Sequence, residues 1–245
     1  MPLTYRIRHY DTIGSTNDEA KRLASLGEPE GTVVSADEQT AGRGRSGRTW
    51  ITPPGAAIAM SIILRPCIPA IHSTQIALLG GLAVLEGIRR IVDLPAQIKW
   101  PNDVLVRGKK VAGVLAEATF AGEALESVVL GMGVNVNAGP PPDFKLEYAA
   151  TSLAAESGCP LDREAVMNAI LAAFDARYPQ LGRPELAAAW SEHLAMRGEQ
   201  VRVAGMTETI IGRLEGVTGE GAIVIRLESG EARMLLAGDV HLRGA

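Results

Sequence analysis

The spacing of apolar residues predicts alternating short strands and helices over the first part of the chain, residues 1–196. Short apolar or alternating runs predict strands at 32–36, 57–64, 97–100, 104–107, 111–118 and 127–136. Apolar residues at helical spacing predict helices at 71–92, 149–156, 162–178 and 184–194. A further helix is predicted to begin at a capping box made by Thr16 and Glu19, and to end near Gly27. Gly108-Lys109-Lys110 predicts a hairpin turn between two of the strands.

From Gly198 the pattern changes to short alternating strands separated by turns that contain glycine. These strands are predicted at 200–203, 207–214, 221–227, 232–236 and 240–242. The segment is too short to build a large core of its own, so we expect it to pack on the first part. The chain is therefore predicted to be α+β, with a main domain at 1–196 and a small β barrel or sandwich at 197–245.

Composition and charge narrow the class of protein. Hydrophobic residues make up 47% of the chain and aromatic residues 4%, which predicts an aliphatic core. The net charge of -4 argues against a protein that binds nucleic acid over a broad surface. The N-terminus has no apolar signal segment, and the longest apolar run, Ile76 to Leu85, is too short to span a bilayer. The two cysteines form no CxxC pair and are typical of reduced thiols, so we expect a cytoplasmic protein without a membrane partner.

The segment Gly42–Trp50, hereafter the ligand loop, alternates three glycines with three arginines and ends on a tryptophan. Glycine permits positive φ and close approach to a ligand, and successive N–H groups in such a turn form an anion-binding concavity. Arginine adds a charged donor fork for phosphate or carboxylate, and Trp50 offers an aromatic face. We expect the loop to fold around a small anionic ligand with an aromatic ring, such as a nucleotide; the alternative is a merely flexible loop.

Three further polar clusters interrupt the apolar pattern. Ser15-Thr16-Asn17 is either a ligand-binding group or helix capping alone. In Lys99-Trp100-Pro101-Asn102-Asp103, the carboxylate of Asp103 is placed to pair with Lys109 or Lys110, for chemistry or as a surface salt bridge. In Gly131–Asn137, the glycines indicate close approach of a ligand or another backbone, or a bulge, and buried asparagines need partners. Glu117 is either a lone acid or the cap of a strand edge.

Several common catalytic arrangements are missing from the sequence. There is no GxxxxGK[ST] phosphate loop and no His/Cys/carboxylate set with zinc spacing. The four histidines are scattered, and no serine or cysteine nucleophile has an evident histidine partner. Arginines and a lysine beside a nucleotide suit attack of a carboxylate on the α-phosphate of ATP, because fixed cations stabilise the developing negative charge. The residues therefore favour charge stabilisation over covalent catalysis.

Together and in this order, the four clusters resemble the biotin protein ligase family (biotin–[acetyl-CoA-carboxylase] ligase). The matching segments are Ser15–Asn17, Gly42–Trp50, Lys99–Asp103, Lys110–Glu117 and Gly131–Asn137, and the likeness extends over nearly the whole chain. It implies a mixed β-sheet catalytic domain with flanking helices, as in class II synthetases and lipoate ligases, plus a small C-terminal SH3-like β barrel. It further implies an enzyme that condenses biotin with ATP, using Mg²⁺, to biotinoyl-5′-AMP and pyrophosphate. The biotinyl group would then pass to one lysine of a biotin carboxyl carrier protein of acetyl-CoA carboxylase or a related carboxylase.

The resemblance also implies roles for individual residues. Those assigned to biotin are Ser15, Thr16, Asn17, Gln39, Gly42, Arg43, Gly44, Arg45, Lys110 and Gly113. Those assigned to ATP or the adenylate are Arg45, Arg48, Trp50, Lys99, Asn102 and Asn135, with Trp50 packed on the adenine and Asn135 reading it. Lys110, Arg45 and Asp103 would be catalytic: Lys110 on the acyl-phosphate oxygen, and Asp103 orienting Lys110 or the incoming acceptor lysine. No residue is assigned as a protein ligand of a metal.

Some family members carry an N-terminal helix-turn-helix, but here the Ser-Thr-Asn motif begins at residue 15, so we expect no DNA binding. The expected protein is a monomer or a homodimer. We also expect the ligand loop to order over a bound intermediate, so that its proteolysis slows when biotin and ATP are added. Two alternatives stay open from the sequence: a lipoate–protein ligase, and a non-catalytic biotin sensor.

Overall fold

A seven-stranded mixed sheet forms the centre of the computed structural model, which describes residues 3–141, 144, 148–204, 208–236 and 238–242. Its strands are β1 (Arg6–Ile13), β2 (Thr32–Gln39), β3 (Ile58–Leu64), β4 (Ala96–Lys99), β5 (Asp103–Val106), β6 (Lys109–Ala121) and β7 (Ala124–Val134). They lie in the order β1-β2-β3-β7-β6-β5-β4. Only the β1–β2 pair in this sheet is parallel.

Helices cover both faces of this sheet. Neighbouring strand residues point to opposite sides, so each face carries apolar side chains that a helix buries. The helices are α1 (Thr16–Ser25), α2 (Gln75–Ile91), α3 (Leu153–Ser157), α4 (Arg163–Arg177) and α5 (Pro184–Glu192). On one face, α1 packs on a small cluster that includes Val34, Ile63 and Val129. On the other face, α2 packs on the main core, and α4 and α5 pack on α2.

The segment Ala70–Ile91 is long and apolar enough to cross a membrane by length and composition alone. The prediction that the longest apolar stretch is too short to span a bilayer was based on Ile76–Leu85 alone. The apolar segment is longer, because it extends beyond this run in both directions. Of its apolar 18-residue stretch, 67% is buried inside the protein. Leu79, Leu82 and Leu85 of α2 are wholly buried in the core that the sheet, α4 and α5 share. The segment Ala70–Ile91 therefore contains a helix, α2, that is buried as a core helix of the fold is.

The C-terminal part forms a five-stranded antiparallel sheet, in the order β11-β10-β9-β8-β12. Its strands are β8 (Gln200–Ala204), β9 (Thr209–Val217), β10 (Ile223–Arg226), β11 (Ala232–Leu235) and β12 (Asp239–Leu242). Thr207, where one of these strands was predicted to begin, lies outside the described residues. The turn after β9 contacts α2 and the residue that follows β4: Gln75 Nε2 donates to the Gly219 carbonyl, and Trp100 Nε1 donates to that of Gly221 at 3.0 Å. The predicted fold class is confirmed.

Three details differ from the sequence predictions. The capping box is wrong: Thr16 lies inside α1, and the carboxylate of Glu19 accepts hydrogen bonds from Tyr10 and Arg22 instead of closing the helix end. Residues 149–152 are extended, because Lys110 exchanges backbone hydrogen bonds with this segment, and only α3 is helical. Strand β1 escaped prediction, since it is an exposed edge strand without apolar alternation.

Candidate active site

All of the predicted site residues except Gly42 and Lys99 line one pocket on the α1 face of the main sheet. Those that line it are Ser15, Thr16, Asn17, Gln39, Arg43, Gly44, Arg45, Arg48, Trp50, Asn102, Asp103, Lys110, Gly113 and Asn135. The pocket lies between the N-terminal end of α1, the ligand loop and strands β6 and β7. Segments that are far apart in the sequence therefore form a single site.

The ligand loop is a compact hairpin and not an irregular coil. Gly44 N donates to Arg48 O at 2.7 Å, and Trp50 N donates to Gly42 O at 2.9 Å. Ser46 has φ 54° and Gly47 has φ 75°, so the chain reverses at this tip through left-handed backbone. Because these amides bond within the hairpin, they are not available to an anion, and that part of the expected N–H concavity is wrong.

The indole of Trp50 packs directly against the backbone of Gly133 in β7. A Cβ added to Gly133 would lie 2.3 Å from the Trp50 ring, closer than any real contact allows. The closest approach at this glycine is therefore made by a side chain, whereas the sequence pattern suggested a ligand or another backbone. Any side chain at this position would displace the indole from the pocket.

One end of the pocket is lined by Thr16, Asn17 and Gln39, which form an uncharged network of hydrogen bonds with the buried residues Thr52 and Ser61. Thr16 N donates to Gln39 Oε1 at 2.8 Å, and Gln39 Nε2 donates to Thr52 Oγ1 at 3.1 Å. Ser61 Oγ donates to Asn17 Oδ1 at 2.6 Å and lies 2.8 Å from Thr16 Oγ1. We refer to these five residues as the uncharged network. Its side chains are held in place before any ligand arrives.

Ser15 adds a further hydroxyl to the uncharged end of the pocket. It is the N-cap residue of α1, yet its side chain makes no capping hydrogen bond. The residue is buried, 4% exposed, and lines the pocket. Capping by this side chain therefore does not explain the Ser-Thr-Asn motif.

The other end of the pocket is cationic. Lys110 Nζ forms an ion pair with Asp103 Oδ1 at 2.6 Å, which confirms the pairing predicted across the hairpin. Lys109 pairs instead with Glu156 at 3.4 Å. Lys110 Nζ also lies 5.6 Å from the centroid of the Trp50 ring, and Arg45 lines the same pocket. Lys110 therefore combines an aligned positive charge with partial exposure, 27% of its side chain.

Lys99 does not line the pocket but supports a residue that does. Its Nζ lies 3.6 Å from the centroid of the Tyr148 ring, in a cation–π contact. Tyr148 and Phe144 face the pocket from the segment that follows β7. Sequence reasoning missed both, although the chain has only three phenylalanines and four tyrosines, and two of these seven lie here.

Apart from Asp103 Oδ1, whose partner is the Lys110 ammonium, two buried polar atoms of the pocket have no hydrogen-bond partner among the described residues: Asn135 Oδ1 and Trp50 Nε1. The amide of Asn135 is oriented because its Nδ2 donates to the Thr151 carbonyl at 3.0 Å. Buried polar groups are normally paired in native proteins. These atoms therefore mark one acceptor and one donor position for a ligand.

A separate group on the outer edge, His9, Asp11 and Asp37, brings possible metal-binding atoms together. Hydrogen bonding to Arg163 holds the pKa of Asp37 below its ordinary value against the opposing effect of burial. Because Arg163 Nη2 already lies 2.8 Å from Asp37 Oδ1, this carboxylate has a cationic partner within the protein. Exposed carboxylates of this kind do not by themselves indicate a metal.

Known proteins resemble this chain in both sequence and structure. The profile of the biotin/lipoate A/B protein ligase family matches residues 10–135, and that of the biotin protein ligase C-terminal domain matches residues 198–243. The bifunctional ligase/repressor BirA of Bacillus subtilis is 36% identical over 239 residues, which cover 96% of this chain and 73% of that protein. The biotin–[acetyl-CoA-carboxylase] ligase of Paracoccus denitrificans is 35% identical, over 94% of this chain and 98% of that protein.

The structural comparison agrees with the sequence comparison. The biotin protein ligase of Aquifex aeolicus, solved in complex with biotin and ATP, superposes with a TM-score of 0.81 at 29% identity. The superposition covers 97% of this chain and 98% of that one. Both matched domains, the two relatives and this architecture agree, and the chain therefore belongs to the biotin protein ligase family.

Proposed function

We propose that this protein activates biotin with ATP to biotinoyl-5′-AMP and transfers the biotinyl group to a lysine of a biotin carboxyl carrier protein. The observation that carries the proposal is a single pocket with a pre-built uncharged network at one end and the Lys110–Asp103 pair at the other. A ligand that spans this pocket needs an uncharged polar head and an anionic tail. Biotin, with its ureido ring and its carboxylate, has both.

The ureido ring of biotin is assigned to the uncharged end. It offers two N–H donors and one carbonyl acceptor, and hydroxyl and amide side chains supply both complements. Ser15, Thr16 and Gln39 line this end and are buried or partly buried. Ala59 and Leu115 line the same pocket from the α1 face of the sheet and provide apolar contact for the rest of the ligand.

In the first step, a carboxylate oxygen of biotin attacks the α-phosphorus of ATP, and pyrophosphate leaves with the electron pair of the broken P–O bond. Negative charge builds on the oxygens around that phosphorus. Lys110 is fixed by Asp103, so its ammonium group is already oriented toward this charge and costs no reorganisation. Arg45 and Arg48 line the same end and are assigned to the phosphates.

The adenine is assigned to the region between Trp50 and Asn135. The indole is held in the pocket by its packing against Gly133, and an adenine ring stacks on such an aromatic face. The exocyclic amine of adenine is a donor, which Asn135 Oδ1 would accept. Without that donor, the carbonyl of Asn135 has no partner among the described residues.

In the second step, the neutral Nζ of the acceptor lysine attacks the acyl carbonyl of the adenylate. AMP leaves, and the nitrogen loses a proton to give the amide. Asp103 is assigned to orient Lys110 or the incoming amine during this step. A carboxylate between two amines suits either role, because it attracts the charged form of one and accepts a hydrogen bond from the other.

Mg²⁺ is assigned as an ion that enters with ATP. Of the residues that line the described pocket, Asp103 alone carries a carboxylate, and it is paired with Lys110. This donor set suits a magnesium ion held mainly by phosphate oxygens and water, which is common for nucleotide-bound magnesium. When bound, the ion would neutralise charge on the departing pyrophosphate.

The remaining parts of the proposal concern organisation. We assign residues 1–196 to the catalytic domain and 197–245 to the smaller one, a division that the change of pattern at Gly198 and the second profile support. We place the protein in the cytoplasm as a monomer or homodimer, with a carrier domain as its protein partner and no role in DNA or membrane binding.

The direct test is to incubate the protein with ATP, Mg²⁺, biotin and an isolated biotin carboxyl carrier domain. We expect one biotinyl group on one carrier lysine, detected by mass spectrometry, and none on a carrier in which that lysine is arginine. Lipoate in place of biotin should give no product. Modification by lipoate alone would favour a lipoate–protein ligase, and biotin binding without any modification would favour a sensor.

A further inference from the structure

Glu117 on β6 lies at the junction of three elements that surround the pocket. Its carboxylate accepts hydrogen bonds from Asn17 Nδ2 at 2.7 Å, from Lys21 Nζ at 2.7 Å, and from both terminal nitrogens of Arg43 at 3.1 Å. Asn17 and Lys21 belong to α1, and Arg43 belongs to the ligand loop. One side chain therefore connects the sheet, the helix and the loop.

The side chain of Arg43 turns away from the pocket's cationic end. Besides Glu117, its Nη2 donates to Asp18 Oδ1 at 2.6 Å. Arg43, the first arginine of the ligand loop, lines the pocket as Arg45 does, and its guanidinium is tied to α1 through Asp18 and to β6 through Glu117. The loop is anchored at its N-terminal stem, close to the point where it leaves β2.

Glu117 also fixes the orientation of the uncharged network. It accepts from Asn17 Nδ2, and this leaves Asn17 Oδ1 facing Ser61, which donates to it at 2.6 Å. The space is tight, because a Cβ added to Gly131 would lie 2.1 Å from Asn17 Oδ1. Rotation of the Asn17 amide would set its Oδ1 against the Glu117 carboxylate, two acceptors without a proton between them, so Glu117 specifies the amide orientation.

The charge balance at Glu117 favours the ionised carboxylate. Burial alone would raise its pKa, but the hydrogen bonds from Lys21, Asn17 and Arg43 outweigh burial and hold the pKa below its ordinary value. Its side chain is 22% exposed, so these contacts are only partly screened by solvent. The Glu117 carboxylate is therefore charged, oriented by its partners and partly shielded from solvent.

We propose that Glu117 is a positioning residue that holds the ligand loop folded over the pocket through Arg43, and holds the uncharged network in register through Asn17. The expected consequence is that the acyl-adenylate is retained until the acceptor lysine arrives. This consequence rests on the proposed ligase function. Glu117 itself is not assigned to touch the reacting atoms. Its effect is carried by the two residues that it binds.

The first test concerns loop anchoring and needs no activity. Trypsin cleaves after the loop arginines, and cleavage after Arg45 and Arg48 in the unliganded protein reports loop opening. In the E117Q variant an uncharged amide replaces the carboxylate. Its NH2 group cannot accept the hydrogen bonds that Arg43 and Lys21 donate to Glu117. We expect cleavage about tenfold faster than in the wild type, the factor given by loss of a charge-assisted hydrogen bond of ~1.4 kcal/mol.

The matched control is Glu19→Gln. Glu19 is also an ion-paired carboxylate associated with α1, but it pairs with Arg22 at 2.7 Å and bonds Tyr10, away from the loop. We expect wild-type cleavage rates in the control. Cleavage after Arg226, in the C-terminal sheet, reports global unfolding and should be the same in all variants.

The second test concerns the intermediate. With biotin and ATP but no carrier, the amount of adenylate released into solution per enzyme should rise about tenfold in E117Q, on the same hydrogen-bond estimate. The rate of adenylate formation should change much less. The double variant with Arg43→Met should show less than the sum of the two single effects, because each substitution removes the shared Glu117–Arg43 contact.

Each result has a defined meaning. Equal loop cleavage in E117Q and E19Q, or equally faster cleavage at Arg226, would overturn the proposal and leave Glu117 with a general stabilising role. Fully additive effects of E117Q and Arg43→Met would also overturn it. If the wild-type protein forms no adenylate, the proposed ligase function fails, while the cleavage experiment still decides whether Glu117 anchors the loop.

Discussion

The two ends of the pocket are built in opposite ways. At the uncharged end, buried hydroxyl and amide groups bond one another, and Ser61 is wholly buried beneath them. At the cationic end, Lys110 is partly exposed, and Asn135 Oδ1 and Trp50 Nε1 have no hydrogen-bond partner among the residues that the structure describes. One end is complete without a ligand, and the other is completed by one.

This difference indicates what each end contributes. A network that is already held in place discriminates by shape and hydrogen-bond pattern, because a wrong ligand would bury its own polar groups without partners. Unpaired acceptors and oriented cations stabilise charge and rings that arrive with the second substrate. Specificity for the acid and chemistry on the nucleotide are therefore separated along one pocket, and substitutions at the two ends should give different kinetic results.

The largest effect is expected at the cationic end. Lys110→Ala removes the oriented charge and should lower the adenylation rate by about a hundredfold to a thousandfold, as loss of one such group typically does. Biotin binding, measured by calorimetry, should change much less. The control is Lys109→Ala, since Lys109 pairs with Glu156 outside the pocket. An equal loss of rate in both variants would contradict the assignment.

Asn135→Ala should give the next largest effect, and only on the nucleotide. The variant removes the acceptor that we assign to the adenine amine, so KM for ATP should rise about tenfold, the cost of ~1.4 kcal/mol for one buried hydrogen bond. The dissociation constant for biotin should stay within about twofold. A comparable rise in both constants would show that the two ends are not separable at this residue.

Ser61→Ala sharpens the comparison from the other end. Ser61 Oγ lies within hydrogen-bond distance of both Thr16 and Asn17, so the variant loosens the uncharged network without touching the cations. We expect biotin affinity to fall about fivefold to tenfold, from ~1 kcal/mol of lost hydrogen bonding. KM for ATP should be unchanged. Biotin titration at fixed protein concentration measures the first, and steady-state kinetics the second.

The smallest effect concerns the support behind Lys110. Glu156 accepts from Arg107 Nη1 at 2.8 Å and from Thr151 Oγ1 at 2.9 Å, which ties the segment after β7 to the hairpin that carries Lys110. The hydrogen bond from Arg107 lowers the pKa of Glu156 below its ordinary value, against the effect of burial. Its contribution to stability is therefore present at neutral pH and is lost as the pH falls from the ordinary glutamate range through this lowered pKa.

Glu156→Gln should accordingly cost ~1 kcal/mol of unfolding free energy at neutral pH, a small value because the Arg107 and Lys109 side chains are each 53% exposed and screened by water. The cost should disappear once the pH is well below the folded pKa, since the wild-type carboxyl is then neutral too. Urea unfolding at several pH values measures both. A cost that does not depend on pH would contradict the electrostatic origin.

The sequence predicted the site better than it predicted the supports of the site. Motif residues such as Thr16, Lys110 and Asn135 could be assigned to one site because the motifs that contain them resemble those of a known family, and all three line one pocket. Ser61 could not, since a serine within an apolar strand carries no local signal, and its role depends on which helix packs above it.

The same limit applies to the backbone. The hairpin formed by β6 and β7 is longer than the apolar runs predicted, because its outer residues are exposed and lack apolar alternation. The extended segment 149–152 has helical composition, but its hydrogen bonds to Lys110 override that preference. Tertiary contacts determine where these elements begin and end, and such contacts cannot be predicted from the local pattern of a single sequence.

The most direct test of the central claim is biotin-dependent exchange of pyrophosphate into ATP, with lipoate and octanoate as parallel acids. If the uncharged end selects the acid and the cationic end performs adenylation, exchange should occur with biotin and be absent with the other two acids. Exchange with all three acids would contradict selection by the uncharged end. No exchange with any acid, in a protein that binds biotin, would contradict the ligase chemistry itself.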